Sequence, residues 1–171
     1  MTELPSEISG YTTLPEPDLV FAGNKTHKHP LLGLINHGPY GLKFGTPTRI
    51  RLALMAPKSD LHRLRGLVSE LERKAAPREA KNYYPEYLGF NTVFRCPIAP
   101  VDEKLVIPFD DALQAHAQAK AKLGLARGLF QNISLLNSVR SSFDVALIYL
   151  PPSWAECFEG ENFDFHDYLK A

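Results

Sequence analysis

Apolar positions recur along this chain in two rhythms. Arg49–Ala56 (RIRLALMA) alternates charged and apolar residues and then runs wholly apolar to Pro57, the pattern of a strand in the middle of a sheet. Asp144–Leu150 (DVALIYL) reads as the clearest buried strand and is stopped by Pro151-Pro152. Leu19–Phe21 predicts an edge strand, and Thr92–Cys96 (TVFRC) and Lys104–Pro108 (KLVIP) predict two short strands broken by Pro97 and Pro100. Between these runs the spacing lengthens to three and four. Leu61, Leu64, Leu67, Val68 and Leu71 form one stripe of a helix capped by Ser59 or Asp60 and reaching about Ala75. Asp110–Leu123 is alanine-rich and helical by propensity, Gly124 ends it, and a further helix runs from about Leu125 to Ser141. Asp164 caps a last short helix, Phe165–Lys170. Residues 1–17, with Pro5, Pro15 and Pro17, read as an extended lead-in, and Gly23–Gly45 reads as loop.

Strands and helices alternate, which argues for an α/β layer around a largely parallel sheet with right-handed crossovers. Ligands of such sheets bind beyond the carboxyl ends of the strands. That rule places the candidate site at the loop after Asp144–Leu150 and the start of the last helix. His166 and Lys170, four apart, share one helix face there. Lys170 offers a point charge to a phosphate, and His166 offers a hydrogen bond and a flat face for a base. The same spacing also arises by chance on many solvated helices. The glycine-rich stretch is not a phosphate-binding P-loop, since no Gly-Lys-Ser/Thr follows it.

Composition narrows the picture further. With 171 residues, 44% hydrophobic and 22% charged, the chain is expected to pack as one domain rather than stay disordered. Nineteen basic and nineteen acidic residues cancel, so bulk charge names no partner. Their distribution says more. Leu19–Ser59 has no acid and carries Lys25, Lys28, Lys43, Arg49, Arg51 and Lys58, whereas the chain from Pro151 onward carries five acids and Lys170. A basic front can hold a polyanion, and it also suits a plain solvated surface. No apolar run reaches the ~18–20 residues of a membrane helix, and the N-terminus has no hydrophobic core, so neither a membrane nor secretion is expected. Two cysteines, Cys96 and Cys157, make no disulfide framework, and a reducing, cytoplasmic setting is expected. His27, His29, His37 and Cys96 lack zinc-site spacing, so no metal is expected from them. A Ser153–His166–Asp144 triad lacks the glycines of a nucleophile elbow. No catalytic residue is assigned, and the chain is expected not to be an enzyme.

Pro17-Asp18-Leu19-Val20-Phe21-Ala22-Gly23, followed by Gly33-Leu34 and Gly38-Pro39-Tyr40-Gly41, resembles the opening of the MID region of prokaryotic Argonaute (PIWI-family) proteins. Asp144–Pro151 with Trp154 resembles the family's strand leading to its base-reading loop, and Phe163–Lys170 (FDFHDYLK) resembles its guide-anchoring helix. The resemblance runs from about Pro17 to Ala171, and the order of the three motifs makes it more specific than any one of them. Ala22, where glycine is usual, and Asn36-His37, where a tyrosine often precedes Gly-Pro, depart from the pattern.

The resemblance implies a Rossmann-like, open, largely parallel sheet with helices on both faces, spanning residues 18–171. It implies that His166 and Lys170 hold the 5′-phosphate of a guide RNA or DNA. The loop Pro151–Asn162 would meet the first base through Ser153, Trp154, Glu156, Phe158 and Asn162. The alternative for that loop is that Trp154 covers the core while the acids keep the loop solvated. The family's further glutamine and lysine, its Mg2+ at the phosphate and its nuclease carboxylates belong beyond Ala171. The expectation is therefore no cofactor in this chain, and a PIWI domain downstream or in another chain as partner. Met1 directly before the MID region implies the short-Argonaute type, which works with a separate effector subunit in prokaryotic defence. The competing expectations are a small α/β nucleotide-binding or hydrolytic enzyme domain that takes a mononucleotide at the same mouth, and a pure interaction domain.

Overall fold

The structure, a computed structural model, describes residues 15–41, 47–79, 84–160 and 163–164. It divides into two compact units, residues 1–46 and 47–171. The fold is mixed α/β, with both parallel and antiparallel strand pairs.

In the first unit, β1 (Leu19–Phe21) and β2 (Lys25–His27) form an antiparallel hairpin around Ala22–Asn24. Gly23 and Asn24 both take left-handed backbone angles in that turn, which glycine and asparagine tolerate best. The stretch expected as loop then holds a helix, α1 (Pro30–His37). Pro30 sits where a helix needs no donor, and Gly38 closes the far end at φ 81° with its N–H bonded to the Leu34 carbonyl. Gly33 faces the buried Phe21 ring so closely that an added Cβ would collide with it.

In the second unit, β3 (Leu52–Ala56) lies between β4 (Val106–Pro108) and β5 (Val145–Ile148), parallel to both. All five β3 residues are buried. Their side chains alternate. Leu52, Leu54 and Ala56 pack with Ile98 and with Leu64 and Val68 of α2 (Leu61–Glu72). Ala53 and Met55 pack with Leu113 and Ala117 of α4 (Ala112–Gln118) and with Leu125, Ala126 and Leu129 of α5 (Lys122–Ser134).

Four expectations are corrected. Thr92–Cys96 is not a strand: α3 (Phe90–Phe94) covers most of it, with Val93 fully buried, and Ile98 bridges to Ile50 beside the sheet instead. The run from Asp144 does contain β5, but as an edge strand among the described residues, with Val145 43% and Ile148 38% exposed. Gly124 does not end a helix. The break comes at Ala119–Ala121, where Lys120 turns left-handed at φ 54°, and Gly124 lies inside α5. There it leaves room for the His116 ring, as Gly128 does for Leu113. Leu67 of the α2 stripe points outward, 46% exposed. The last helix expected at Phe165–Lys170 lies outside the described residues; before it, Phe163–Asp164 forms a two-residue strand paired antiparallel with Glu159–Gly160.

Arg51 and Asp144 lock the starts of β3 and β5 together. The Arg51 backbone N–H donates to Asp144 Oδ2 (2.8 Å), Nε to the same oxygen (3.1 Å) and Nη2 to Oδ1 (2.8 Å). Nη1 donates to the Ser141 carbonyl (2.8 Å). These side-chain and backbone bonds from Arg51 hold the Asp144 carboxyl down to about 2, from 3.8.

Two outcomes are expected. Met55→Ala removes a fully buried side chain and should destabilise the fold by about 2–5 kcal/mol in urea unfolding, whereas Leu67→Ala should cost under ~0.5 kcal/mol. The lowered Asp144 carboxyl stabilises the native state above its unfolded value of 3.8, and that contribution is lost as pH falls from there through about 2. Asp144→Asn should therefore lower the melting temperature at neutral pH and flatten its decline across that window, as read by calorimetry at a series of pH values.

Candidate functional site

The carboxyl ends of the three parallel strands lie along one edge of their sheet. Each flanking strand extends its pairing with β3 by one bond there. The Phe109 N–H donates to the Ala56 carbonyl (2.9 Å) and the Tyr149 N–H to that of Met55 (2.8 Å). Pro57 then ends β3, and a 3-10 turn, Lys58–Asp60, leads into α2. After β4, the Asp110 carboxylate accepts from the Ala112 N–H (2.8 Å) and starts α4. Between these two exits lies an open cleft of about 470 Å³, lined by Pro57, Lys58, Ser59, Asp111 and Gln114. At the opposite, amino edge, a smaller cavity of about 200 Å³ adjoins Arg51, whose guanidinium is taken up by Asp144.

The loop after β5 is ordered by a 3-10 turn, Pro152–Cys157. Residues three apart in such a turn face the same way. Trp154 and Cys157 accordingly point into the core, and Ser153 and Glu156 point out. Trp154 is 1% exposed, its ring 6.1 Å from that of Phe109 and tilted 27° to it. Its Nε1 donates to Gln114 Oε1 (2.9 Å), which ties this loop to the residue lining the cleft from α4.

The residues expected to meet a first base are thus divided. Ser153 is exposed. Glu156 is exposed but paired with Lys120 (2.7 Å); that bond lowers the Glu156 carboxyl and raises the Lys120 ammonium. The Trp154 ring is enclosed by the core, the arrangement the alternative for this loop describes. Phe158 is half-buried against the same core. Asn162, His166 and Lys170 lie outside the described residues. The triad of Ser153, His166 and Asp144 is not assembled at its described members. Asp144 precedes β5 and Ser153 follows it, and four residues at about 3.3 Å each separate the two ends.

Lys58, Asp111 and Gln114 were not among the residues singled out from sequence. A signal for them exists: they follow the ends of β3 and β4, and the carboxyl-end rule applies to every parallel strand, not to the last one alone. Lys58 and Asp111 have no ion-pair partner among the described residues. The amino-terminal histidines serve local structure: His29 Nδ1 accepts from the Leu32 N–H (3.3 Å) and His27 Nδ1 from the His29 N–H (2.8 Å). Among the described residues no three His, Cys, Asp or Glu are grouped to hold a metal ion, and no helix is long and apolar enough to cross a membrane.

Trp154 is the sole tryptophan, so its emission reports this junction. It should be blue-shifted and shielded from acrylamide. Trp154→Phe puts a smaller ring in a fully buried position and loses the bond to Gln114, and should cost about 2–4 kcal/mol in urea unfolding followed by circular dichroism. No model of a known protein family matches this chain, and no curated protein matches it.

Proposed function

We propose that this chain is a nucleic-acid-binding module, a MID-like domain that holds the 5′-phosphate and first base of a guide strand. The observation that carries the reading is the parallel order β4-β3-β5 with an open cleft at its carboxyl edge. The chain steps from β3 to one side and then crosses back to the other. Crossovers of one hand then put their helices on opposite faces, and the two separate cores around β3 agree with a Rossmann-like sheet covered on both faces. The reversal creates a switch point between the carboxyl ends of β3 and β5, where ligands of such sheets bind, and the cleft between the β3 and β4 exits shares the β3 exit with it.

The nucleic-acid assignment itself rests on the resemblance of the Pro17–Gly23, Gly33–Gly41 and Phe163–Lys170 segments to Argonaute MID regions. In this reading His166 and Lys170 grip the phosphate, and Ser153 is the exposed member of the base-facing loop. Mg2+ joins at the phosphate when a PIWI domain is present. The chain holds a guide and cleaves nothing; a separate effector acts in cytoplasmic defence. The cleft volume, within the ~300–1,000 Å³ of small-ligand sites, also favours a second reading, a small nucleotide-binding or hydrolytic domain.

Fluorescence anisotropy separates the two. A guide-holding chain binds 5′-phosphorylated oligonucleotides at least about tenfold tighter than 5′-hydroxyl ones, and the double variant His166→Ala, Lys170→Ala removes that preference. Equal affinity for both ends, with free nucleoside monophosphate competing as well as any oligomer, would favour the second reading.

A further inference from the structure

We propose that the cleft between the β3 and β4 exits reads guanine, with Asp111 and Gln114 on the base and Lys58 on its phosphate. The inference deepens the nucleotide-holding reading above, on which it rests for the guanosine being a strand's terminal one; it moves the first-base contact from the loop after β5 to this cleft and adds Lys58 to the cations on the phosphate. Each lining group has one hydrogen-bonding sense. The Trp154 indole N–H is only a donor, so the Gln114 oxygen must face it, and the Gln114 NH2 is left to donate. Trp154 is itself held in the core, which keeps that amide oriented. Ionised Asp111 only accepts, and the Lys58 ammonium only donates. The Ser59 hydroxyl donates to Asp60 Oδ2 (3.1 Å) and offers the cleft its lone pairs. Asp111 and Gln114 are three apart at the start of α4, and so are neighbours on its surface.

A ligand that satisfies all three groups carries adjacent donors for the carboxylate, an acceptor for the amide and an anion for the ammonium. Guanosine monophosphate has this set: N1–H and N2–H side by side, O6 next to them, and a phosphate. Uracil offers a single N–H between two carbonyls. Adenine and cytosine offer one amino group beside a ring nitrogen. Guanine alone gives each Asp111 oxygen a donor, and such paired, charge-assisted bonds are the strong ones. The carboxylate also disfavours a bare anion, so the cleft is not a simple phosphate site.

The full chain is titrated with GMP, AMP, CMP, UMP and inorganic phosphate by calorimetry, with Trp154 emission followed in parallel. GMP is expected to bind about tenfold tighter than the other nucleotides and to shift the emission. Asp111→Asn should weaken GMP about tenfold and bring the four nucleotides level. Lys58→Ala should weaken all four alike and keep their order. Equal binding of the four, absence of GMP binding, or a guanine preference that survives Asp111→Asn overturns the inference. Oligonucleotides beginning with each base separate it from the guide reading. A 5′-phosphate preference without a first-base preference leaves the guide reading standing and removes this one. GMP selectivity with indifference to the oligonucleotide end does the reverse.

Discussion

A strand buried on both faces has no lateral position for a charge, and β3 imposes that constraint on its whole unit. Its five residues supply one core with Leu52, Leu54 and Ala56 and another with Ala53 and Met55. A slip of one residue would exchange the two sets, placing Met55 where Ala56 or Leu54 belongs. The Arg51–Asp144 lock opposes that slip, because it fixes Arg51 against the residue just before β5 through three bonds to one carboxylate. Polar chemistry is then confined to the two ends of the strand. Arg51 at the amino end is spent on register, and Lys58 beyond the carboxyl end faces a cleft.

Packing on one side of the sheet carries that arrangement outward to the cleft. Gly124 and Gly128 lie one turn apart on α5 and admit the His116 ring and the Leu113 side chain. An added Cβ at Gly128 would stand 2.6 Å from Leu113 Cδ2, so the close approach of α4 depends on the missing side chain. With α4 seated, Gln114 meets the Trp154 indole, and Cys157 donates to the Ala117 carbonyl (3.7 Å). The loop after β5 is thereby anchored to the helix that follows β4. Of the residues around the cleft, Gln114 is the one held by a side chain of the core.

Much of this was legible in the chain. The β3 run, the α2 stripe and Val106–Pro108 of β4 follow from periodicity, because burial on two faces, on one stripe and against a neighbour each leaves its own spacing. Punctuation misled. Gly38 read as a loop marker, yet it stops α1, and Pro30 within the same stretch starts it. Gly124 looked like a helix end because propensity cannot see the His116 ring that needs its space. Thr92 and Val93 have strand-like side chains, but Phe90 and Val93 share a helical face and Val93 is the one fully buried. An apolar run such as Val145–Ile148 carries no mark of whether it lies at the centre or the edge of a sheet. Lys58, Asp111 and Gln114 come from two strand exits about fifty residues apart in sequence, and only strand order brings them to one cleft.

Charge decides what kind of recognition such a cleft can support. The chain has no net charge, and one of the cleft's two ionised groups is an acid. A site built for phosphate affinity would gather cations and exclude Asp111, since each added cation strengthens the pull on a polyanion. Here a single ammonium faces a single carboxylate across a volume fit for one small molecule. Asp111 therefore lowers affinity for any anion that brings no donors and spares one that brings two. On the proposed reading the cleft selects among nucleotides, and a strong hold on a nucleic-acid strand requires more cations than the single ammonium that lines it.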